Sequence, residues 1–178
     1  MTELHYNLTE DDLLVQRLYV ASKSPRFKKA FRKGRYMAPL IHLLIGCFLY
    51  FHDDRLAGLI WFSGVGLIWF LIFPWFYKRR YAAHYKLHIA TQQRNIPDKW
   101  TTITFKESQL EVMDQTSDHQ LEVTSFDELV ELPEHYLLLL STPGSIIVPK
   151  RALDNTSGFL DYFKKHHIPL RNHTSWAW

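Results

Sequence analysis

The stretch LLIGCFLYFHDDRLAGLIWF, residues 43–62, places two adjacent aspartates, Asp53 and Asp54, between two strongly apolar runs. Across residues 36–77 these two acids and Arg55 are the only formally charged residues. The acids lie either inside one long apolar segment or in a turn between two segments. At the centre of a membrane helix each aspartate would cost about 2.5–3.5 kcal/mol. The sequence therefore favours a turn, and with it a helical hairpin.

The two apolar runs differ in length. Residues 56–77 are 22 residues without a charge, and as a helix they reach about 33 Å, enough to cross the apolar core of a bilayer. Residues 37–51 are only fifteen, a length between that of a buried core helix and that of a membrane span. We expect spans at about 36–51 and 56–77, the first lengthened by tilt, local thinning of the bilayer or snorkelling of Arg35.

The charges that flank the hairpin decide its predicted orientation. The segment KSPRFKKAFRKGR, residues 23–35, carries seven Lys/Arg before the first run, and three more follow the second, whereas the connecting HDDR is not cationic. This pattern predicts a membrane-spanning hairpin with both termini in the cytoplasm. The alternative is a soluble protein with two apolar core helices, but so small a domain could hardly cover them. The predicted membrane-surface basic cluster is Lys28, Lys29, Arg32, Lys33, Arg35, Lys78, Arg79 and Arg80.

Formal charge is segregated along the chain, although it totals only +3. Residues 1–35 carry +4, residues 36–94 carry +4 and residues 95–178 carry −5. A nucleic-acid binder would more often carry its basic charge on the folded domain, so no nucleic-acid polymer is expected as a partner. The single cysteine, Cys47, excludes an intramolecular disulfide framework. The polar, acidic N-terminus does not have the pattern of a secretory signal.

Residues outside the hairpin form three further predicted regions. Residues 1–35 begin with the alternating LHYNL, typical of a short strand, and continue with two helices that start at Thr9 and at Ser24-Pro25. The second of these is basic and amphipathic, and it either lies on anionic lipid or simply orients the hairpin. Residues 78–97 are expected to extend the second span as a cytosolic stalk helix, because no helix breaker precedes Asn95.

From residue 98 the hydrophobic period changes from helical to strand-like. TITF, QLEVM, HQLEV, FDELVEL, YLLLL and SIIVPK predict about six strands between residues 100 and 150. Thr156 or Ser157 is the expected N-cap of a helix through GFLDYFKKHH. We predict an α+β protein, in which the transmembrane hairpin is joined to a β domain at 98–178 that is closed by a C-terminal helix.

The order of these features resembles the YcxB-like family of bacterial membrane proteins. The resemblance rests on LHYNLTEDD, the hairpin behind a basic helix, TITFKESQLEV and YLLLLSTPGSIIVPKRAL; TSFDELVEL departs from the family pattern, which has a tryptophan–serine pair there. The resemblance implies a protein of the bacterial inner membrane whose β domain has a cytosolic pleckstrin-homology-like (PH-like) fold of two curved antiparallel sheets. The N-terminal strand would then complete a sheet as a seventh strand.

Few residues are candidates for chemistry, and each has a plainer interpretation. Lys150 and Arg151, with Lys164 and Lys165 near two histidines, would form an anionic-ligand patch if helix and strand pack together, or else a polar rim around a helix end. His42 lies deep in a span, where a neutral histidine bonded to the neighbouring helix is favoured over a functional group. The i, i+4 pair His84 and His88 favours a solvated helix face over a metal site. No catalytic residue, cofactor or metal is expected.

The sequence predicts a non-enzymatic protein, since GxSxG, Walker A, HExxH and CxxC patterns do not occur in it. The expected function is that of a scaffold, sensor or regulatory module held at the lipid bilayer, where it meets a protein or lipid partner. The alternative is a ligand-gated membrane effector, which binds a small anionic signal such as a nucleotide and perturbs the bilayer through oligomerised hairpins. Gly58, Ser63, Gly64 and Gly66 would permit close helix approach and a homo-oligomer through the spans.

Overall fold

The structure is a computed structural model that describes residues 3–53, 56–93, 100–114, 118–142 and 144–178. Its elements in chain order are β1 (Glu3–Asn7), α1 (Glu10–Lys23), α2 (Pro25–Asp53), α3 (Leu56–Gln93), β2 (Trp100–Phe105), β3 (Gln109–Asp114), β4 (Asp118–Glu122), β5 (Phe126–Glu131), β6 (His135–Leu140), β7 (Ser145–Pro149), α4 (Thr156–Lys165) and β8 (Leu170–Asn172). The chain forms two compact units, residues 1–17 with 86–178, and residues 18–85. The predicted α+β class is confirmed.

The first unit contains two four-stranded sheets. One has the strand order β1-β2-β3-β4 and is antiparallel throughout; the other has the order β7-β6-β5-β8, with β8 parallel to β5. The six strands expected between residues 100 and 150 are present. The N-terminal strand does complete a sheet, since β1 lies beside β2 in the register Leu4↔Ile103. The sheet unit is therefore built from chain on both sides of the hairpin.

The core of this unit follows from period-two alternation. In β2 every second side chain is buried, and in β1 the buried positions are Leu4 and Tyr6. Helix α4 buries Phe159 and Phe163 in the same apolar cluster. The expected N-cap at Thr156 or Ser157 is wrong: Asn155 caps the helix, because its side-chain Oδ1 accepts a hydrogen bond from the Gly158 amide at 2.9 Å.

The second unit is a hairpin of two antiparallel helices. Ring contacts join α2 to α3 in steps that run in opposite directions: Phe27 to Tyr81, Phe31 to Tyr77, Tyr36 to Phe70 and His42 to Phe62. The described glycines at this contact include Gly34, Gly46 and Gly66. A Cβ added at Gly34 would lie 2.5 Å from the Phe73 ring, and one at Gly66 would lie 3.3 Å from the Pro39 Cα atom. The apolar region is thus two packed helices, as the HDDR sequence predicts.

Three details of the hairpin extend or correct the sequence analysis. Helix α2 runs unbroken from the basic segment through Pro39 to Asp53, so the basic helix and the first span are one helix of 29 residues. Helix α3 continues past the second predicted span to Gln93 and has 38 residues in all, whereas residues 94–97 of the expected stalk lie outside the described residues. His42 does not bond to the neighbouring helix: its Nδ1 lies 2.7 Å from the Ala38 carbonyl oxygen, one turn earlier in α2. Asp54 and Arg55 lie outside the described residues.

Candidate functional site

The most enclosed group of charged residues in the sheet unit is centred on Asp12, in the first turn of α1. Thr9 and Asp12 form a reciprocal N-terminal cap. The Asp12 amide donates to the Thr9 hydroxyl at 3.2 Å, and the Thr9 amide donates to the Asp12 carboxylate at 2.7 Å. Asp12 is only 2% exposed. The predicted helix start at Thr9 is confirmed, and it carries the carboxylate into the interior.

Two basic side chains from distant parts of the chain meet this carboxylate. Arg151, in a 3-10 turn after β7, donates from both terminal nitrogens, one of them at 2.9 Å from Oδ1. His135, at the start of β6, places Nε2 at 2.7 Å from the same Oδ1 atom and is itself buried. Arg151 also donates to the Asn7 carbonyl at 3.2 Å. These residues, Asp12, His135 and Arg151, are called the Asp12 cluster below.

The hydrogen bonds of the Asp12 cluster set the ionisation of its acid. Burial raises the pKa of Asp12, but the hydrogen bonds from Arg151, His135 and Thr9 together outweigh burial and hold that pKa well below its usual range. Burial, and then the Asp12 charge, raise the pKa of Tyr6, whose hydroxyl donates to the Ile147 carbonyl at 2.8 Å. Asp12 is therefore a carboxylate at neutral pH.

The Asp12 cluster is suited to holding the N-terminus in place rather than to acid–base chemistry. The Asp12 oxygens already accept four hydrogen bonds, two from Arg151, one from His135 and one from the Thr9 amide. A carboxylate with its acceptor sites filled and a depressed pKa is a poor general base. Together the bonds connect the start of α1 to the beginning of β6 and to the turn after β7.

An open pocket of about 400 Å³ lies beside the Asp12 cluster. Its lining comes from β1 and from the turn after β7: His5, Tyr6, Asn7, Arg151 and Ala152. His5 is fixed there by a 2.8 Å hydrogen bond from its Nδ1 to the Thr102 hydroxyl and by stacking on Trp100. Because Arg151 is bonded to Asp12, the pocket has no strong net positive charge to attract an anion.

The four residues of the predicted anionic-ligand patch fall into two pairs with different surroundings. Lys150 donates to Glu131 at 2.7 Å and lies over the Tyr136 ring, and Arg151 belongs to the Asp12 cluster. Lys164 and Lys165 lie exposed in the last turn of α4, where they complement the helix dipole. The positive charge of the first pair is thus matched by carboxylates within the unit.

The predicted membrane-surface basic cluster lies at one end of the hairpin. Contacts of Phe27 with Tyr77 and Tyr81 bring the start of α2, with Lys28 and Lys29, to the part of α3 that carries residues 78–80. Arg35 lies farther along the hairpin, with its guanidinium 4.1 Å from the Phe70 ring centre. By sequence, unit 18–85 holds eleven Lys/Arg and only two acids, Asp53 and Asp54.

The histidines considered for metal binding gain no support from their neighbourhood. In the described parts of the chain, no group of three or more His, Cys, Asp or Glu side chains is arranged to hold a metal ion. His84 makes a ring contact with Tyr85, its neighbour in the helix. The interpretation of His84 and His88 as a solvated helix face therefore stays the plainer one.

The sequence analysis did not identify the Asp12 cluster. The sequence patterns place Asp12 in the helix that starts at Thr9 and Arg151 in a possible anionic-ligand patch, and they assign no role to His135. His135 and Arg151 lie 123 and 139 residues from Asp12 along the chain. Neither residue is part of a local pattern that indicates a shared site. The signal that was present is the spacing from Thr9 to Asp12, which is typical of a reciprocal cap and predicts a fixed carboxylate.

Neither the family models, nor the curated proteins, nor the solved structures that were compared with this chain give a match. The resemblance to the YcxB-like family consequently stays a prediction, and the function is argued from the geometry alone.

Proposed function

We propose that this chain is a two-span protein of the bacterial inner membrane whose cytosolic β domain, PH-like in architecture, acts without enzymatic activity as a scaffold, sensor or regulatory interaction module. The hairpin holds the domain at the bilayer, where a protein partner is met in two dimensions. Three observations support the proposal. The apolar hairpin is uncovered, basic charge lies at one end of it, and the strands of the sheet unit come from chain segments that precede and follow it in the sequence.

The observation that carries the proposal is the uncovered surface of the hairpin. Both helices are long and apolar enough to cross a membrane, yet only 6% of the apolar window in α2 and 11% of that in α3 is buried. Phe48, Phe51 and Trp61 are 63%, 83% and 70% exposed. Soluble monomers rarely leave apolar patches beyond about 600 Å² in water. Core helices would be mostly covered, so a lipid environment is the better explanation.

The orientation follows from where the charges lie on the hairpin. The two helices pack antiparallel, so the basic start of α2 and the basic segment of α3 lie at the same end. The positive-inside rule assigns that end to the cytoplasm. Both termini and the sheet unit then lie on the cytoplasmic side, and HDDR lies on the other.

The proposed sensor or scaffold role rests on how the β domain is connected. Its strands come from both sides of the hairpin, because β1 precedes α2 and β2 follows α3. From Asp12 to Lys23 the chain is helical, and α2 begins after Ser24 alone. A change in the Asp12 cluster thus occurs at the start of the helix that leads into the hairpin. The site where a partner would bind the domain is therefore joined to the membrane segment by a short stretch of helical chain.

The ligand-gated effector remains a second proposal with less support. Two of its four expected cations, Lys150 and Arg151, are already paired with Glu131 and Asp12. An anionic signal would have to compete with those carboxylates or bind at Lys164 and Lys165 alone. The homo-oligomer through the spans is also a proposal. Gly64 has no atom within 4 Å of an added Cβ, so this position is open to a second helix.

Thiol labelling in intact cells tests the topology. The single native cysteine is first removed as Cys47→Ser, and Asp54→Cys then places one thiol in the HDDR turn. A membrane-impermeant maleimide should modify this cysteine in intact cells. The matched control, Asp161→Cys at an exposed position in α4, should react only after permeabilisation. If the two cysteines exchange these behaviours the orientation is wrong, and if the protein is recovered without membranes the hairpin does not span.

A further inference from the structure

A groove of about 410 Å³ runs along α3 at the end of the apolar run 56–77. Its lining is Trp75, Phe76, Arg79, Arg80 and Ala83. Positions 75, 79 and 83 are spaced by four, as are positions 76 and 80, so the two rows are adjacent and share one face of the helix. Near the groove, the α3 rings that contact α2 include Phe73, Tyr77 and Tyr81, which lie at other positions and leave this face exposed.

The groove combines an apolar wall with two cations. Trp75 is 60% exposed and Phe76 is 47% exposed, which is unusual for rings of this size unless they meet lipid or a partner. The Arg79 guanidinium lies 5.2 Å from the Trp75 ring centre, which brings charge and aromatic surface together. Among the described residues neither arginine pairs with a carboxylate, and residues 56–97 contain no acid at all.

We propose that this groove binds an anionic phospholipid, with Arg79 and Arg80 on its phosphate and headgroup and with Trp75 and Phe76 against the glycerol and upper acyl chain. This inference rests on the proposed membrane function and adds to it the class of lipid that binds the hairpin. Guanidinium groups present paired donors that suit phosphate oxygens, and tryptophan favours the boundary between apolar and polar lipid. The groove lies at the end of the 56–77 run, where such a boundary is expected.

Charge also selects this occupant over a second copy of the chain. Unit 18–85 carries eleven Lys/Arg against two acids, so a second hairpin packed on the groove would face Arg79 and Arg80 with more positive charge. An anionic headgroup instead supplies the counter-charge that the unit lacks. Each arginine near a membrane surface favours anionic lipid by about fivefold.

Contact quenching of Trp75 tests the proposal with the full-length protein. The chain is reconstituted into equimolar phosphatidylglycerol and phosphatidylcholine bilayers in which only one of the two lipids has brominated acyl chains, which quench tryptophan fluorescence on contact. Subtracting the signal of Trp75→Phe isolates the quenching of this one tryptophan. Brominated phosphatidylglycerol should quench it several-fold more than brominated phosphatidylcholine.

Two variants that lose the same charge provide the comparison. The double variant Arg79→Gln/Arg80→Gln should bring the ratio of the two quenching signals to about one. Lys28→Gln/Lys29→Gln, which removes two exposed cations from α2, should leave the ratio near its original value. If the two brominated lipids quench Trp75 equally in the unmodified protein, the lipid site is overturned. If the quenching ratio falls equally in both double variants, the preference comes from general surface charge, and the lipid site is overturned as well. Absence of quenching by either lipid contradicts the proposed membrane function itself.

Discussion

Replacing Asp12 by asparagine removes the charge on which the Asp12 cluster depends while keeping the size of the side chain. The carboxylate accepts four hydrogen bonds, and an amide presents a donor where one of its two acceptor oxygens had been. Breaking a buried ion pair by removing one partner costs about 3–5 kcal/mol. Because the Arg151 side chain is 52% exposed and regains water, we lower the expected loss of stability to about 2–4 kcal/mol.

The loss should be seen in the sheet unit of the full-length protein in detergent. A loss of this size corresponds to a fall in Tm of about 10 °C for a unit of this length. Amide hydrogen exchange should also become faster in β6, whose first residue is His135. Asp11→Asn is the matched control, because Asp11 is the exposed neighbour in the same helical turn and loses the same charge.

A double-mutant cycle decides whether the loss arises from the ion pair. Asp12→Asn combined with Arg151→Gln should cost less than the sum of the single changes, with a coupling of about 1–3 kcal/mol. If Asp12→Asn lowers Tm no more than Asp11→Asn, the Asp12 cluster does not hold the N-terminus and the reasoning fails. Additive single changes would likewise show that Asp12 and Arg151 stabilise the unit independently.

Three further predictions concern the hairpin, the N-terminal strand and pH. Gly34→Ala should destabilise the hairpin by about 1–3 kcal/mol, because its Cβ would lie 2.5 Å from the buried Phe73 ring; Gly64→Ala, with open space, should raise Tm in the same detergent assay. Deleting residues 1–8 removes β1 and should make the sheet unit sensitive to protease, and unchanged resistance would contradict the pairing. The depressed Asp12 pKa stabilises the fold above the unfolded pKa, so this contribution should be lost progressively below about pH 5 on the way to the folded pKa, and the stability deficit of Asp12→Asn should shrink there.

Local periodicity was sufficient for most of the elements. Alternating side chains or, in β6, a short continuous apolar run identified the strands from β2 to β7, and charge-free apolar runs identified both helices of the hairpin. The HDDR sequence located the break between those helices because two adjacent acids are costly inside a span. These signals act over a few residues, so a single sequence contains them in full.

Features that depend on distant or very short segments were missed. Strand β8 has three exposed residues, too few for a period, and it forms only because β5 offers an edge for parallel pairing. The N-cap of α4 was predicted one or two residues too late, because the side chain that accepts the hydrogen bond from the free Gly158 amide is Asn155 and not Thr156 or Ser157. The Asp12 cluster depends on packing between segments more than 120 residues apart, which no local pattern encodes.

The same reasoning about distant partners decides how the ligand-gated alternative has to be tested. A ligand titration on residues 95–178 alone would lack β1 and Asp12, and would measure a disrupted sheet, so the full chain is required. With nucleotide as the probe, Lys164→Gln/Lys165→Gln should abolish binding if the alternative holds, because neither lysine pairs with a carboxylate among the described residues. Lys150→Gln should weaken binding less, since Lys150 is already paired with Glu131. If nucleotide still binds without the α4 lysines but not without Lys150, the ligand displaces a carboxylate. Saturable binding that depends on either set of lysines would favour the effector over the scaffold.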